Sequence, residues 1–286
     1  MTVKITTLVE NTVSWANLLG EWGLSMLVET DDLTFLSDTG TTSAAAKNAM
    51  ALGVSLTGVD VVTISHGHFD HMGGLIPLLQ LIRKPVQVVG HSQIFDSKYA
   101  YHPGEKMCEY VDDCDYEYIG APYSREEYER CGARFALSAD PVWLSDNVVT
   151  SGEVPMLTDY ETIDPMLLVK KNGEYVPDLL PDDLSVFIKT SKGLVAVLGC
   201  AHRGMVNHIW RGQELTGMDK VYAVVGGTHL IAANDARIEE TIRELKRLDV
   251  QIVAASHCTG MHAACALSNA FGGAFRFNNA GTRLTL

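Results

Sequence analysis

Residues 65–75 read SHGHFDHMGGL, with three histidines and one aspartate inside six positions and two glycines closing the stretch. It follows VDVVTIS (59–65), an apolar run of the kind that forms a strand buried on both faces. His66 and His68 stand two apart, so they point the same way while extended geometry lasts. Asp70 and His71 fall on the turn that follows, and Gly73-Gly74 let the backbone bend closely as the helix in GGLIPLLQLIR (73–83) begins. Two imidazoles on one strand face suit one divalent ion. An aspartate beside a further imidazole suits a second ion a few ångströms away.

The remaining ligands must come from elsewhere, and the chain repeats one arrangement of strand, turn, strand and helix. A β-rich run at Val3–Val9 precedes a hairpin, LSMLVETDDLTFLSDTG (24–40), and a helical segment at 43–52. PVQVVG (85–90) is another buried strand. DLSVFIKTSKGLVAVLGC (183–200) is a second hairpin, followed by a helix in HRGMVNHIWRGQEL, a strand in KVYAVVGG, an amphipathic helix in ANDARIEETIRELKRL and a strand in VQIVAAS. A small-residue helix starts near Gly260. The pattern predicts one α/β domain over residues 1–286, two β-rich layers with helices outside. Three later strands end in LGCAHRG, VVGGTHL and AASHCTG, offering His202, His229 and His257 at the sheet edge that carries the first cluster.

Residues 99–133 interrupt the rhythm: they are rich in Tyr, Asp and Glu and poor in aliphatic residues. They read as a surface insertion or as a lid over the site. Of the six cysteines, Cys108, Cys114 and Cys131 share this stretch, where a structural zinc or a disulfide is the alternative to free thiols. Reduced cysteines and the lack of a signal peptide's apolar core place the chain in the cytoplasm. A net charge of −13 argues against nucleic acid, whose phosphates need clustered Lys and Arg. No apolar run reaches the roughly 20 residues of a membrane span. The expected partner is a small-molecule substrate.

HGHFDH (66–71) resembles the HxHxDH signature of the metallo-β-lactamase superfamily, and the Asp38-Thr39-Gly40 strand end resembles the one preceding it there. The order of elements is similar across nearly the whole chain, so the resemblance implies the four-layer αββα sandwich. It also implies that His257, matching the family's last histidine, joins Asp70 and His71 around one metal ion. Many members complete the other site with a histidine before the second hairpin, but VVTSGEVPM (148–156) has none. His202 is assigned instead, beside His66 and His68. Where many members carry a carboxylate that bridges both ions, this chain has Cys200, read as a buried structural cysteine with a bridging thiolate as the alternative. The set TSGEVP, GCAHRG, GGTHL and SHCTG resembles the branch named for dihydropterin ribofuranosylaminobenzene-phosphate synthase.

The resemblance implies a divalent metal centre, two zinc ions with Mn or Fe as alternatives. The leading expectation is a metal-dependent hydrolase of a small ester, thioester or phosphoester, in which Asp70 both ligates and accepts from the attacking water. His229 is expected to serve the substrate or act as general acid. The alternative is synthase-like transfer; redox chemistry at a di-iron site and a metal-bound sensor are the other classes. Asp38 is expected to orient a ligand, His91, His102, His208 and His262 to be structural, and Arg203 either to start a helix or to meet an anionic substrate.

Overall fold

The computed structural model describes residues 1–104 and 115–286. Two large sheets face one another. The first has seven strands in the spatial order Arg283–Thr285, Lys4–Val9, Ser25–Glu29, Thr34–Ser37, Val61–Thr63, Val86–Gly90 and Ala133–Leu137. The second has six: Phe275–Phe277, Ile252–Ser256, Val221–Gly227, Gly193–Leu198, Ser185–Thr190 and Val148–Thr150.

Strand Gly193–Leu198 is buried at every position because its two faces serve two cores. Val195 and Val197 join Ile5, Met26, Phe35 and Val61 of the first sheet in the core between the sheets. Leu194, Ala196 and Leu198 pack outward under helices Met205–Thr216, Asp235–Arg247 and Met261–Phe271. With a side-chain period of two, a strand covered on both sides must be apolar throughout. The first sheet is covered in the same way by Ala44–Ala51 and Leu75–Ile82. The layers are therefore αββα, as expected.

The pairs joining Thr34–Ser37 to Val61–Thr63, and Gly193–Leu198 to Val221–Gly227 and Ile252–Ser256, are parallel. Within each sheet these carboxyl ends open on one edge, and the 3.2 Å between His66 and His202, which stand past one such end in each sheet, brings the two edges together.

The stretch 99–133, read from sequence as a surface insertion or a lid, carries strands of its own among the described residues. Lys98–Tyr101 and Tyr116–Tyr118 pair with each other and with a hairpin, Leu167–Lys171 and Glu174–Pro177, in a separate four-stranded antiparallel sheet. Its exposed face is held by aromatic contact: the Tyr116 and Tyr175 rings stack at 4.0 Å. Ala133–Leu137 belongs to the first large sheet, so the insertion closes before it. Cys108 and Cys114 lie outside the described residues, and Cys131 is an exposed free thiol. None of the helices among the described residues is long and apolar enough to cross a membrane.

The small sheet is anchored by a buried charge. Lys98, 1% exposed, sets its Nζ 2.8 Å from Asp178 and 2.8 Å from Asp182. Burial opposes its charge, but the two carboxylates overcome that and push its pKa up. Lys98→Met is expected to destabilise the protein by about 3–5 kcal/mol in denaturant unfolding, because two carboxylates would be left buried without their cation. Unchanged stability would mean that water reaches them.

Candidate metal centre

Each expected ligand stands just past a strand end. Val61–Thr63 runs into His66 and His68, and Asp70 and His71 sit on a short helix, Phe69–Met72, rather than on a loop. Gly199-Cys200-Ala201-His202 follows Gly193–Leu198, His229 follows Val221–Gly227, and His257 follows Ile252–Ser256. Asp38, Ala201, His229 and His257 all have positive φ, between 47° and 60°. Left-handed backbone at non-glycine residues costs on the order of 1–3 kcal/mol each and persists where surrounding structure imposes it, often at functional sites.

Two triads result. His66 Nε2 lies 3.0 Å from His68 Nδ1 and 3.2 Å from His202 Nε2. Asp70 Oδ2 lies 3.6 Å from His71 Nε2 and 3.3 Å from His257 Nε2. A tetrahedral ion with bonds of about 2.0–2.1 Å holds its ligand atoms about 3.3 Å apart, which matches both sets.

The protonation pattern agrees with a cation. His66, His68 and His202 are driven well below the ordinary imidazole range, first by burial and then by neighbouring histidines for His66 and His202 and by Lys98 for His68, so neutral nitrogen lone pairs face one another. His257 Nε2 is buried with no hydrogen-bond partner. Its other nitrogen donates to Asn11 Oδ1 at 2.9 Å, turning the Nε2 lone pair inward. Burial opposes ionisation of Asp70, yet His71 and His257 hold its carboxyl below the usual carboxylate range. Burial likewise opposes charge on His71, but Asp70 and Asp38 push it up to about 9.

These shifts fix the pH response of the metal-free protein. The three low histidines take up protons near pH 6.5 only when unfolded, so stability falls as pH drops below about 6.5, by about 1.4 kcal/mol per pH unit for each one. His71 acts oppositely: its contribution is complete below about 6.5 and is lost as pH rises through about 9. Denaturant unfolding of chelator-treated protein across this range is expected to show a maximum near neutrality. Greatest stability in mild acid would contradict the assignment.

Oriented carboxylates hold the ligands. His71 Nδ1 donates to Asp38 Oδ2 at 2.8 Å, and Asp38 accepts the Ser65 N–H at 2.7 Å, so Asp38 orients a candidate ligand without joining either triad. Adjacent Asp182 and Asp183, not singled out from the sequence, grip both parts of the first triad. Asp182 Oδ2 accepts the Gly67 N–H at 2.8 Å, between His66 and His68. Asp183 Oδ2 accepts the Arg203 N–H at 2.7 Å, next to His202, and the His208 Nε2–H at 3.0 Å. Nothing in their residue type marked them, because they act on backbone N–H groups of distant turns.

His208 is structural as expected, and His262 is an exposed partner of Asp235 at 2.7 Å. His102 departs from expectation: it lines the cavity over the triads, 3.4 Å from Glu117. Arg203 pairs with Glu153 at 2.9 Å and does not line that cavity, so its backbone matters here and its guanidinium does not. The cavity holds about 260 Å³. His68, Asp70, Cys200, His202, His229 and His257 form its floor, and Trp22, Phe69, Ala100, Ile119 and Leu167 its apolar walls.

The family model for the metallo-β-lactamase superfamily matches residues 23–164. A protein of Methanocaldococcus jannaschii, named 7,8-dihydropterin-6-methyl-4-(β-D-ribofuranosyl)-aminobenzene-5'-phosphate synthase, is 33% identical over 273 residues, covering 91% of this chain and 89% of its own. This chain belongs to the metallo-β-lactamase superfamily. An uncharacterised protein of the same organism is 28% identical over 261 residues, covering 91% of this metallo-β-lactamase-fold chain and 92% of its own. Among solved structures, Tm1679, described as a metal-dependent hydrolase of the β-lactamase superfamily, superposes with a TM-score of 0.82 at 28% identity, covering 99% of each chain. Membership of the superfamily implies divalent-metal binding, and the two triads have the donors for it.

Proposed function

We propose that this chain is a hydrolase that uses two divalent ions, zinc in the first instance, against a small ester, thioester or phosphoester. His66, His68 and His202 hold one ion; Asp70, His71 and His257 hold the other. The observation that carries the reading is that two buried donor triads stand side by side at one sheet edge, with His68, Asp70, His202 and His257 opening into one small cavity. Bound divalent ions supply an activated water nucleophile at neutral pH and polarise the oxygen under attack.

The chain's own residues do the rest. Asp70 accepts a hydrogen bond from the attacking water and fixes its approach. The apolar walls exclude competing water and seat the body of the substrate. His229 lies against His202 with ring centroids 3.9 Å apart and planes tilted by 42°, and neither of its ring nitrogens has a hydrogen-bond partner. Burial opposes a proton there, while Cys258 draws its pKa up; we assign His229, which lines the cavity, to protonate the leaving group. Free buried thiols at Cys200 and Cys258 suit a reducing compartment, the cytoplasm.

A second reading, transfer between a dihydropterin and a phosphorylated ribosyl aminobenzene, draws support from the 33% identical relative of that name. Against it, neither Lys nor Arg is among the described residues that line the cavity, so a phosphate distant from the reacting bond has no cationic side chain to hold it, whereas a phosphoester under attack would lie against the ions themselves. The test is turnover by zinc-loaded and chelated protein on panels of aryl esters, thioesters and phosphoesters, with the two synthase substrates run in parallel. Metal-dependent release of acid or phosphate supports the hydrolase. Condensation without hydrolysis would replace it with the transferase.

A further inference from the structure

The chain reads YAYH at 99–102 and YEYI at 116–119, with a tyrosine at every second position. Strands Lys98–Tyr101 and Tyr116–Tyr118 pair in the small sheet, Tyr99 opposite Tyr118, Ala100 opposite Glu117 and Tyr101 opposite Tyr116. The His102 N–H donates to the Asp115 carbonyl at 2.7 Å and carries the pairing one residue further. A side-chain period of two puts these tyrosines on one face and Ala100, His102, Glu117 and Ile119 on the other. The tyrosine face closes on itself: ring centroids are 5.3 Å apart for Tyr99 and Tyr118 and 5.0 Å apart for Tyr101 and Tyr116. The other face looks onto the triads. Ala100, His102, Glu117 and Ile119 all line the cavity there, as does Leu167, which stands opposite Ala100 on the neighbouring strand.

His102 and Glu117 are the titratable side chains of that wall, diagonal neighbours with Nε2 3.4 Å from Oε2. The Glu117 side chain is 43% exposed, so its carboxylate stays within reach of a ligand. Ala100, directly opposite, offers only a methyl group and leaves room beside that carboxylate. Neither Lys nor Arg is among the described residues lining the cavity, and Trp22 and Phe69 add flat apolar surface. We propose that Glu117 determines which substrate this cavity takes: one whose body carries a flat group with paired N–H donors, an amidine, a guanidine or an amino-substituted nitrogen heterocycle. The inference rests on the hydrolase reading above and names the part of the substrate that lies away from the bond under attack. Two parallel N–H groups match the two oxygens of one carboxylate, and a positive charge on them strengthens both bonds. The floor takes the electron-rich end of the substrate and the wall its donors, so the two ends cannot be exchanged. An anionic body meets Glu117 and is turned away, which is selection by repulsion.

The test is titration calorimetry of the full chain, zinc-loaded and metal-free, with benzamidine and with benzamide, which keeps the ring and replaces the cation by a neutral amide. Benzamidine is expected to bind more tightly by about 10-fold or more, the least that a hydrogen bond to a charged group contributes, with or without zinc. Glu117→Gln should abolish that advantage and leave benzamide binding as it was, while Glu117→Asp should keep part of it. Equal binding of the two probes by the wild-type protein overturns the proposal, so a misfolded variant does not shield it. A preference that survives Glu117→Gln, or no binding of benzamidine at millimolar concentration, overturns it as well. The hydrolase reading fails separately: a chain that prefers benzamidine but turns over no ester, thioester or phosphoester loses that reading and keeps its donor-selecting wall.

Discussion

Asp70→Ala is expected to lose the ion of the second triad and to lower turnover by about 10²–10⁴-fold, the range of a group that directs proton movement in the reaction. The carboxylate is buried, 3.3 Å from His257 Nε2 and 3.6 Å from His71 Nε2. It supplies the only anion of that triad. Its removal leaves two imidazoles, one of which then keeps its proton less readily, and no negative charge to offset an entering cation. It also removes the acceptor that aligns the water. His202→Ala makes the contrasting case: metal content should fall at the first triad while Asp70, His71 and His257 keep theirs. Metal analysis of both purified variants, with turnover on one responsive substrate, separates the two. Full metal content with undiminished turnover in Asp70→Ala would remove Asp70 from the centre.

Gly74→Ala should be the most damaging single methyl group in the molecule. A Cβ at this position would stand 1.9 Å from the Thr39 carbonyl oxygen, and one at Gly73 would stand 2.0 Å from that of Thr41. Neither neighbour can retreat. Thr39 donates both its N–H, at 2.9 Å, and its Oγ1–H, at 2.7 Å, to the His71 carbonyl, and the Gly74 N–H donates to Gly40 at 2.9 Å. The strand end carrying Asp38 and the helix turn carrying Asp70 and His71 are thus sewn together backbone to backbone. A loss above about 4 kcal/mol is expected, a fall in Tm on the order of 10 °C or more for a chain of this size. Gly58→Ala, where a Cβ would meet nothing within 4 Å, is the control and should melt like the parent. Equal melting of the two variants would show that the 38–42 turn yields.

The same pair of glycines marks where sequence reasoning stopped. Paired glycines before a helix suggest a backbone that must bend, yet Gly73 and Gly74 have ordinary helical φ of −65° and −81°. What forbids a side chain is the approach of a loop more than 30 residues earlier in the chain, visible only once both segments are in position. The cluster at 66–71 was legible because its donors are contiguous, and the central strands because a run buried on both faces must be apolar. His202, His229 and His257 could be placed on one edge because each follows such a run. The four-stranded sheet was not legible: its strands come from 98–101, 116–118 and 167–177, and tyrosine stacking rather than aliphatic alternation holds its open face. Asp182 and Asp183 escaped notice for a related reason. Their acceptors serve backbone N–H groups of Gly67 and Arg203, and backbone partners leave no trace in residue type. His102 looked like any isolated histidine until the small sheet brought it over the cavity.

Neither triad is local in the chain. His66 meets His202 across 136 positions, and the ring of His257 is tethered to Asn11 across 246. A nascent polypeptide leaving the ribosome therefore exposes HGHFDH long before it can offer a complete set of donors. No ion caught at that stage would be held by more than part of a coordination sphere, and exchange would be fast. On the metal-centre reading proposed above, loading belongs to the finished fold, and the competition among divalent ions in the cell is judged by the donor set that the folded chain assembles rather than by whichever ion the emerging chain meets first.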